Sequence, residues 1–358
     1  MSEIEPLNIL NSFSTSKYSS IELFAGAGGM ALGMEKAGIE HVLLNDFDYS
    51  AIQTLKKNRP NWNIIHGDIK KIDFKPYKGV KLITGGFPCQ SFSYAGKQRG
   101  LEDTRGTLFY EFARALKEAQ PKVFLAENVK GLKSHDRGKT LQTMIDVFSS
   151  MGYSVLEPKI LKGINYRVPQ KRERLFIVGI KKEYISKVSF QWPKPEDKIY
   201  TLKDALKKGE LYSCDVPKSQ GQTYPQKKKK VLELVPAGGY WRDLPIDIQK
   251  EYMMKSFYLG GGKTGIARRI SWDEPCLTLT CSPAQKQTER CHPDETRPFE
   301  IREYARIQTF PDDWIFEGSL TQQYKQIGNA VPVNLAYAIG KSIIKLLDDI
   351  AKVDNAKI

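Results

Sequence analysis

One stretch near the N-terminus decides the fold of this chain: Ile21-Glu22-Leu23-Phe24-Ala25-Gly26-Ala27-Gly28-Gly29. Its apolar first half is typical of a buried strand. The glycines that follow allow a tight turn, and residues 30–36 have the pattern of a helix that ends at Gly38. Because glycine has no side chain, a ligand can approach the backbone of such a turn closely. The stretch therefore predicts a strand, a glycine turn and a helix, with a ligand site at the turn.

Short apolar runs and helical patterns go on alternating through the first half of the chain. Strands are predicted at 41–44, 81–84, 123–126 and 175–179, and helices at 49–58, 108–119 and 140–151. This alternation predicts an α/β fold with a doubly wound, mostly parallel sheet. The later stretch 334–348 has the spacing of an amphipathic helix that packs on the same domain.

Residues 189–298 lack this pattern and are predicted to form a second, smaller and irregular domain. They include the lysine run 227–230 and the glycine-rich segment 260–263. The remaining predicted divisions are an N-terminal tail at 1–18, a first domain at 19–188 plus 320–358, and a hinge region at 299–319. The chain has 55 Lys and Arg against 41 Asp and Glu, a net charge of +14, which favours a polyanionic partner.

Cysteine and histidine usage argues against a disulfide framework and against a metal site. The five cysteines form no Cys-x-x-Cys pair, and the chain has four histidines. The N-terminus lacks the basic start and apolar core of a secretion signal, and no apolar run approaches the roughly 20 residues that span a bilayer. We therefore expect a cytoplasmic protein with no bound metal and no membrane segment.

Acidic residues follow the next two predicted strands. Asp46 lies 20 residues after Gly26, about the spacing at which a carboxylate meets a ribose in dinucleotide sites. Asp68 follows a further strand, predicted between the helix 49–58 and the strand 81–84, in Gly67-Asp68-Ile69. Together with the glycine turn, these acids predict a nucleoside-containing ligand without specifying which one.

Cys89 follows the predicted strand 81–84, in Gly85-Gly86-Phe87-Pro88-Cys89-Gln90. The carboxyl ends of strands are where α/β proteins build their sites, so Cys89 is a candidate nucleophile. The alternative is an inert buried cysteine. Residues 91–105 are rich in Ser, Gly and charge, a composition that suits a lid closing on a substrate.

Glu127 ends another predicted strand, in Ala126-Glu127-Asn128-Val129, and reaches the same sheet edge as Cys89. In Gln170-Lys171-Arg172-Glu173-Arg174, the alternation of a strand sends Arg172 and Arg174 to one face. Taken alone, Glu127 could be a solvated strand end and the two arginines a solvated basic edge.

Five motifs occur in one order: Phe-x-Gly-x-Gly, Pro-Cys-Gln, Glu-Asn-Val, Gln-x-Arg-x-Arg and Gly-Asn-Ala-Val-Pro. The set resembles the bacterial DNA (cytosine-5)-methyltransferases, the modification enzymes of restriction-modification systems. The resemblance covers nearly the whole chain except the N-terminal tail and much of the variable region. Each motif alone is weak to moderate, whereas five in order, with the long insertion before the last, are very specific.

The resemblance implies an S-adenosyl-L-methionine-dependent, Rossmann-like domain, a target-recognition domain and no metal. Asp46 would hold the ribose hydroxyls, where many members of the family carry Glu, and Phe47 would stack on the adenine. The residues implied to line the cofactor pocket are Phe24, Gly26, Gly28, Asp46, Phe47, Asp68, Ile69, Leu108 and Asn329.

The resemblance also implies a mechanism in which Cys89 attacks carbon 6 of a cytosine flipped out of the duplex. Glu127 would hydrogen-bond the ring and its amine, and Arg174 would contact the base oxygen, with Arg172 a less certain partner. Gln90 and the loop that starts at Ser91 would close over the base.

The second domain is implied to read the sequence of double-stranded DNA. Base readout needs Arg, Lys, Asn or Gln at the groove edges. The candidates are Arg268, Arg269, Gln285, Gln287 and Arg290, each of which could equally contact phosphate or solvent. By family analogy the enzyme acts as a monomer, and its cognate restriction endonuclease is a separate protein.

Three other functions compete with this interpretation. A transfer-RNA cytosine methyltransferase would share the catalytic motifs, but the long basic second domain favours DNA. A non-catalytic DNA-binding relative could lack Cys89, Glu127 or the arginines, and all are present here. A small-molecule methyltransferase would not need the second domain.

Overall fold

Ser19–Leu23 forms strand β1, and all five of its side chains are buried. In the computed structural model, which describes residues 17–88 and 108–356, this strand lies inside an eight-stranded sheet. The other strands of the sheet are β2 (Glu40–Asp46), β3 (Ile64–His66), β4 (Leu82–Gly85), β5 (Val123–Val129), β6 (Tyr153–Val155), β7 (Lys159–Lys162) and β9 (Glu173–Lys181). Two-residue strands β8 (Gln170–Lys171) and β10 (Cys276–Leu277) pair with each other.

The sheet order is β3-β2-β1-β4-β5-β9-β6, with β7 also paired to β9. Strands β1 to β5 pair in parallel. Strand β9 runs antiparallel to β5, and β6 and β7 run antiparallel to β9. The order moves outward from β1 in both directions, which confirms the prediction of a doubly wound, mostly parallel α/β sheet.

Helices separate these strands. Those before residue 195 are α1 (Gly29–Ala37), α2 (Tyr49–Asn58), α3 (Leu108–Ala119), α4 (Lys139–Ser150) and α5 (Lys182–Ile185). Those after it are α6 (Leu202–Leu206), α7 (Gln226–Glu233), α8 (Ile246–Met253), α9 (Ile301–Ile307), α10 (Leu320–Asn329) and α11 (Val333–Asn355). The predicted helices 49–58 and 108–119 agree with α2 and α3 to the residue, and α11 is longer than the predicted 334–348.

An aromatic cluster forms much of the core beneath the sheet. Phe124 of β5 packs on Phe148 of α4, with ring centroids 4.4 Å apart. Gly179 of β9 lies opposite Phe124, and a Cβ atom there would come within 1.9 Å of the Phe124 ring. Glycine at this position lets the ring lie flat over the strand, so the aromatic core can reach across to β9.

The chain divides into two units: the first comprises Met1–Lys162, Glu173–Lys194 and Ala336–Ile358, and the second comprises Gly163–Arg172 and Pro195–Leu335. The second unit has its own core, in which Trp241, Leu232 and Met253 are buried. It contains the predicted second domain from residue 195 onward, and it also takes in 299–335. The assignment of catalysis, target recognition and a hinge to parts of the chain stays a prediction.

The stretch Leu320–Asn355 is the one helical segment, within the described ranges, that is long and apolar enough to cross a membrane. Its best window has a mean hydropathy of 1.3, and 56% of that window is buried inside the protein. A single apolar helix of this kind is weak evidence for a membrane span, because the core helix of a folded domain has the same length and composition.

Candidate active site

The glycine turn after β1 is held in a conformation that favours glycine. Phe24, Gly26 and Gly28 have φ angles of 58°, 54° and 85°, and Gly28 is the N-terminal cap of α1. A Cβ atom added to Gly26 would meet no atom within 4 Å. The space above the turn is therefore open, and the backbone N–H groups at the start of α1 suit an anionic group.

Asp46, at the end of β2, braces this turn. Its Oδ2 accepts from the N–H of Gly26 at 2.7 Å, and its Oδ1 accepts from the N–H of Asp48 at 2.8 Å. Burial raises the pKa of the Asp46 carboxyl above its ordinary value, and the two backbone N–H groups oppose that shift. A carboxylate has about four acceptor positions, so Asp46 can still accept from two ligand hydroxyls.

Phe47 follows Asp46 and leaves 76% of its surface exposed, which suits a planar ring of a ligand. A cleft of about 270 Å³ lies beside Gly67 and Asp68, and Asp68 accepts from the N–H of Lys70 at 3.0 Å. Ile69 differs from the prediction, because its side chain is buried in the core and a ligand could meet only its backbone. Leu108 is partly buried against the same core.

Glu127 and Arg174 meet on one face of the sheet. The Nε of Arg174 lies 2.8 Å from Oε1 of Glu127, and both side chains are nearly buried, at 13% and 12% exposed. Arg174 pairs with Val129, two residues after Glu127, so alternation puts all three on one face. Burial lowers the pKa of Arg174, and the charge of Glu127 opposes that shift. The pair therefore offers hydrogen-bond donors and acceptors side by side to a planar polar ligand.

The backbone leading towards Cys89 lies against the same strand. A Cβ atom at Gly86 would come within 2.8 Å of Oε2 of Glu127, so a side chain at this position would displace the Glu127 carboxylate. Asn128 donates from its side-chain amide to the carbonyl of Phe87 at 2.9 Å. Asn128 had no predicted role, although its position inside the Glu-Asn-Val motif was a signal. Cys89, Gln90, Ser91 and the predicted lid at 91–105 lie outside the described residues.

Arg172 does not accompany Arg174. The predicted strand is interrupted at Arg172, between β8 and β9, so the two side chains do not alternate along one strand. Arg172 is 1% exposed and belongs to the second unit, where it donates to the carbonyls of Leu279 and Gly328 at 3.2 and 2.8 Å. These contacts hold segments of the second unit together, and the catalytic role of Arg172 stays a prediction.

Asn329 also belongs to the second unit, at the end of α10. It is exposed, and its Oδ1 accepts from the Cys281 thiol at 3.0 Å. The preceding Gly328 packs so tightly that a Cβ atom would come within 2.3 Å of the carbonyl oxygen of Thr280. The Gly-Asn pair therefore needs glycine to bring its backbone against residues 280–281. The cofactor role of Asn329 stays a prediction.

Two of the three arginines expected at DNA are buried in the second unit. Arg269 is 5% exposed and donates to the carbonyls of Leu232 and Val235 at 2.7 Å each. Arg290 donates to the carbonyls of Thr278 and Glu289, both at 2.7 Å. Their guanidinium groups bridge chain segments, which corrects the expectation that they face DNA. Arg268 is partly buried beside Tyr240, with the guanidinium carbon 6.0 Å from the ring centroid.

Among the described residues, no three His, Cys, Asp or Glu side chains gather in a group that could hold a metal ion. The first unit therefore combines an open glycine turn braced by Asp46, an exposed aromatic ring at Phe47, and a carboxylate–guanidinium pair at a second strand end.

Comparison with known proteins identifies the family of the chain. A family model of C-5 cytosine-specific DNA methylases matches residues 18–345. The type II methyltransferase M.Eco47II of Escherichia coli is 64% identical over 340 residues, which cover 95% of this chain and 82% of that protein. The type II methyltransferase M.Sau96I of Staphylococcus aureus is 52% identical over 348 residues, which cover 96% of this chain and 80% of that protein.

Solved structures have a similar fold. A candidate DNA modification methyltransferase encoded in an Escherichia coli prophage has a TM-score of 0.71 at 23% identity, covering 92% of this chain and 99% of that one. The Dnmt2 methyltransferase of S. pombe has a TM-score of 0.61 at 18% identity, covering 93% and 99%. At these identities the likeness shows the fold alone. By its family match and its curated relatives, the chain belongs to the C-5 cytosine-specific DNA methylase family and is a DNA cytosine-5 methyltransferase.

Proposed function

We propose that the methyl donor is S-adenosyl-L-methionine, bound at the glycine turn of the first unit. The open space above Gly26 fits the methionine end, Asp46 can accept from the ribose hydroxyls, and the exposed Phe47 ring can stack on the adenine. The bound donor supplies an electrophilic methyl group. Phe24, Gly28, Asp68, Leu108 and the backbone of Ile69 complete the proposed set in this unit.

Cys89 is the proposed nucleophile. Its thiolate donates an electron pair to carbon 6 of the target cytosine, and the electrons of the carbon 5–carbon 6 double bond make carbon 5 nucleophilic. After methyl transfer, water or another base takes the proton from carbon 5, the electron pair of that bond re-forms the double bond, and the bond from Sγ to carbon 6 breaks to restore the thiolate. Inside a stacked duplex carbon 6 is inaccessible, so the base must be flipped out at a cost of a few kcal/mol.

The main structural support for this proposal is the close contact between Glu127 and Arg174. The Glu127 carboxyl group can accept from the cytosine amine and, when protonated, donate to the ring nitrogen, and Arg174 offers donors to the base oxygen. Because the pair is nearly buried, its hydrogen bonds to the base are stronger than they would be in water. A Cβ atom at Gly86 would come within 2.8 Å of Glu127 Oε2, so the backbone that leads to Cys89 lies beside this pair.

DNA recognition is proposed for a surface of the second unit formed by residues 254–264 and 285–287, here termed the recognition surface. Tyr258 and Leu259 are 78% and 65% exposed there, and Gln285 and Gln287 are exposed as well. Exposed glutamine amides can read base edges, and an exposed aromatic ring can stack on or wedge between bases.

Charge and packing support the same surface. Residues 252–272 contain no Asp or Glu. Lys286 donates to the carbonyl of Tyr252 at 2.9 Å, and a Cβ atom at Gly265 would come within 2.6 Å of the Gln287 carbonyl. The two segments are therefore packed together and present no carboxylate to a phosphate backbone.

The biological role follows from the relatives, which are type II methyltransferases by name. We propose that this enzyme acts as a cytoplasmic monomer and protects host DNA from a separate cognate restriction endonuclease. Methylation at one short duplex sequence would block cleavage there.

One experiment tests the activity and identifies the site. The chain is expressed in cells that have no cytosine methylation of their own, and plasmid DNA is sequenced after bisulfite treatment. We expect 5-methylcytosine at one position of one short sequence, and none with Cys89→Ser. Purified enzyme with tritiated S-adenosyl-L-methionine should label duplex DNA and not transfer RNA. Labelling of transfer RNA alone, or full activity of Cys89→Ser, would contradict the proposal.

A further inference from the structure

Asn128 joins the end of β5 to the segment that leads into Cys89. Its Nδ2 donates to the carbonyl of Phe87 at 2.9 Å, and its Oδ1 accepts from the N–H of Val129 at 2.9 Å. Phe87 and Asn128 are 41 residues apart in the sequence, and Asn128 is 5% exposed. Both ends of the amide have a backbone partner, so its orientation is fixed.

Phe87 is held by its ring as well as by its carbonyl. The ring is buried, and its centroid lies 5.5 Å from that of Phe109 and 5.4 Å from that of Phe112, both on α3. The next residue, Pro88, has a φ angle fixed by its own ring and restricts Phe87 to extended backbone. The segment that ends at Pro88 is therefore held by the Phe87 ring, by the Phe87 carbonyl and by the proline.

The same strand carries the carboxylate that faces this segment. Gly86 lies against Glu127, and Phe87 is bonded to Asn128, so two successive residues of the segment meet two successive residues of β5. The Gly86 contact permits a close approach but contributes no bond. Asn128 supplies the hydrogen bond that fixes the distance between the segment and Glu127.

We propose that Asn128 is a positioning residue for methyl transfer, which sets the backbone entering Cys89 relative to Glu127. The inference rests on the roles proposed above for Cys89 and Glu127. It assigns Asn128 no contact with DNA or with the methyl donor. Loss of the Asn128–Phe87 bond should therefore slow the chemical step and leave the binding of both substrates unchanged.

The test compares Asn128→Ala with Asn63→Ala. Asn63 is the matched control, because its Nδ2 also donates to a backbone carbonyl, that of Val42 at 3.0 Å, elsewhere in the same unit. The single-turnover rate is measured with tritiated S-adenosyl-L-methionine and saturating duplex DNA, alongside the Kd for each substrate and the Tm. We expect Asn128→Ala to lose about 100-fold in rate, the effect of misplacing a reacting group by about 1 Å. Both Kd values should stay within about threefold, and Asn63→Ala should keep its rate at a similar loss of Tm.

Asn128→Asp provides a second readout if the alanine variant folds poorly. A protonated aspartic acid can donate to the Phe87 carbonyl, whereas the carboxylate cannot. The ratio of its rate to the wild-type rate should therefore rise as the pH is lowered. The charged groups facing this position, Glu127 on the same strand and Arg174 on β9, are common to both proteins and cancel in the ratio.

The outcomes separate this inference from the proposed function. Full activity of Cys89→Ser would overturn both. If Cys89→Ser is inactive while Asn128→Ala transfers methyl groups as fast as Asn63→Ala, only the positioning role is overturned. A rate loss in Asn128→Ala that is matched by an equal loss of DNA or donor affinity would also overturn it, because Asn128 would then act on binding.

Discussion

Arg174 in the first unit and Arg269 in the second are both largely buried, yet their partners differ in kind. Arg174 donates to a carboxylate, that of Glu127, and to the carbonyl of Glu173. Arg269 donates to four backbone carbonyls and one hydroxyl, those of Val235, His292, Pro293, Leu232 and Thr296. A guanidinium saturated by carbonyls bridges parts of a scaffold, whereas one paired with a carboxylate belongs to a group that can exchange partners with a ligand.

The largest effect on the rate is expected at Glu127. Glu127→Gln keeps the shape of the side chain but has no acidic proton to donate to the ring nitrogen, which gains negative charge when the thiolate adds to carbon 6. We expect the single-turnover rate to fall about 100- to 1000-fold, the size of effect seen when one preorganised hydrogen-bonding group is lost. The rate is measured with tritiated donor at saturating duplex DNA.

Glu118→Gln is the matched control for that variant. Glu118 also pairs with an arginine of the first unit, Arg114, at 3.1 Å, but on helix α3. Its rate should stay within about twofold of wild type. If Glu127→Gln transfers methyl groups as fast as Glu118→Gln, the Glu127–Arg174 pair has only a structural role, like the contacts of Arg269.

Arg269→Ala is expected to act on stability and not on chemistry. It leaves several buried carbonyls without donors, each worth about 1 kcal/mol or more, so the free energy of unfolding should fall by about 3 kcal/mol. Urea denaturation measures this loss, and the rate per folded molecule should be unchanged. Arg242→Ala, at an exposed position of the same unit, should cost less than about 0.5 kcal/mol. If Arg269→Ala keeps wild-type stability but binds DNA more weakly, Arg269 contacts DNA after all.

Glu22 is a buried carboxyl group that has no cationic partner among residues 17–88 and 108–356. It is fully buried in β1 and accepts from the Thr84 hydroxyl at 3.3 Å, and burial raises the pKa of Glu22 to about 8. Between the ordinary value of 4.5 and about 8, the folded protein holds a proton that the unfolded chain has released. Stability from this group is therefore full below the unfolded pKa and is lost as the pH rises through the folded pKa.

Glu22→Gln should remove that dependence. Its free energy of unfolding should exceed that of the wild type increasingly across this window, by at most about 1.4 kcal/mol per pH unit. Urea denaturation at the two ends of the window measures the difference. A constant difference at both ends would show that Glu22 does not hold a proton in the folded state.

The sequence predicted the first unit well because its information is local. Each strand and helix has its own hydrophobic period, and the spacing from Gly26 to Asp46 is realised as a 2.7 Å hydrogen bond. The ion pair of Glu127 with Arg174 was not predicted from the residues, because only the family resemblance assigned both side chains to the same base. Asn128 was missed because its partner lies 41 residues away, and no periodicity encodes that distance.

The second unit was predicted less well for a physical reason. Arginine in a polar, glycine-rich stretch is usually solvated, so Arg269 and Arg290 were expected at the surface. Their burial depends on carbonyls from separate segments, for Arg269 from residue 232 to residue 293. Where regular strands are few, backbone carbonyls need other donors, and buried arginines supply them.

The smallest effect is expected at an exposed basic residue of the second unit, in contrast to the buried Arg269. Lys255 is exposed on the recognition surface, so Lys255→Ala should lose one phosphate contact and leave the fold intact. The slope of log Kd against log salt concentration should fall by about one unit, equally for cognate and unrelated DNA, because phosphate contacts carry no sequence information. Lys352→Ala, at an exposed lysine paired with Asp349 in the first unit, should leave the slope unchanged. If Lys255→Ala also leaves it unchanged while Arg269→Ala lowers it, DNA contacts the buried arginine side of this unit and the recognition surface lies elsewhere.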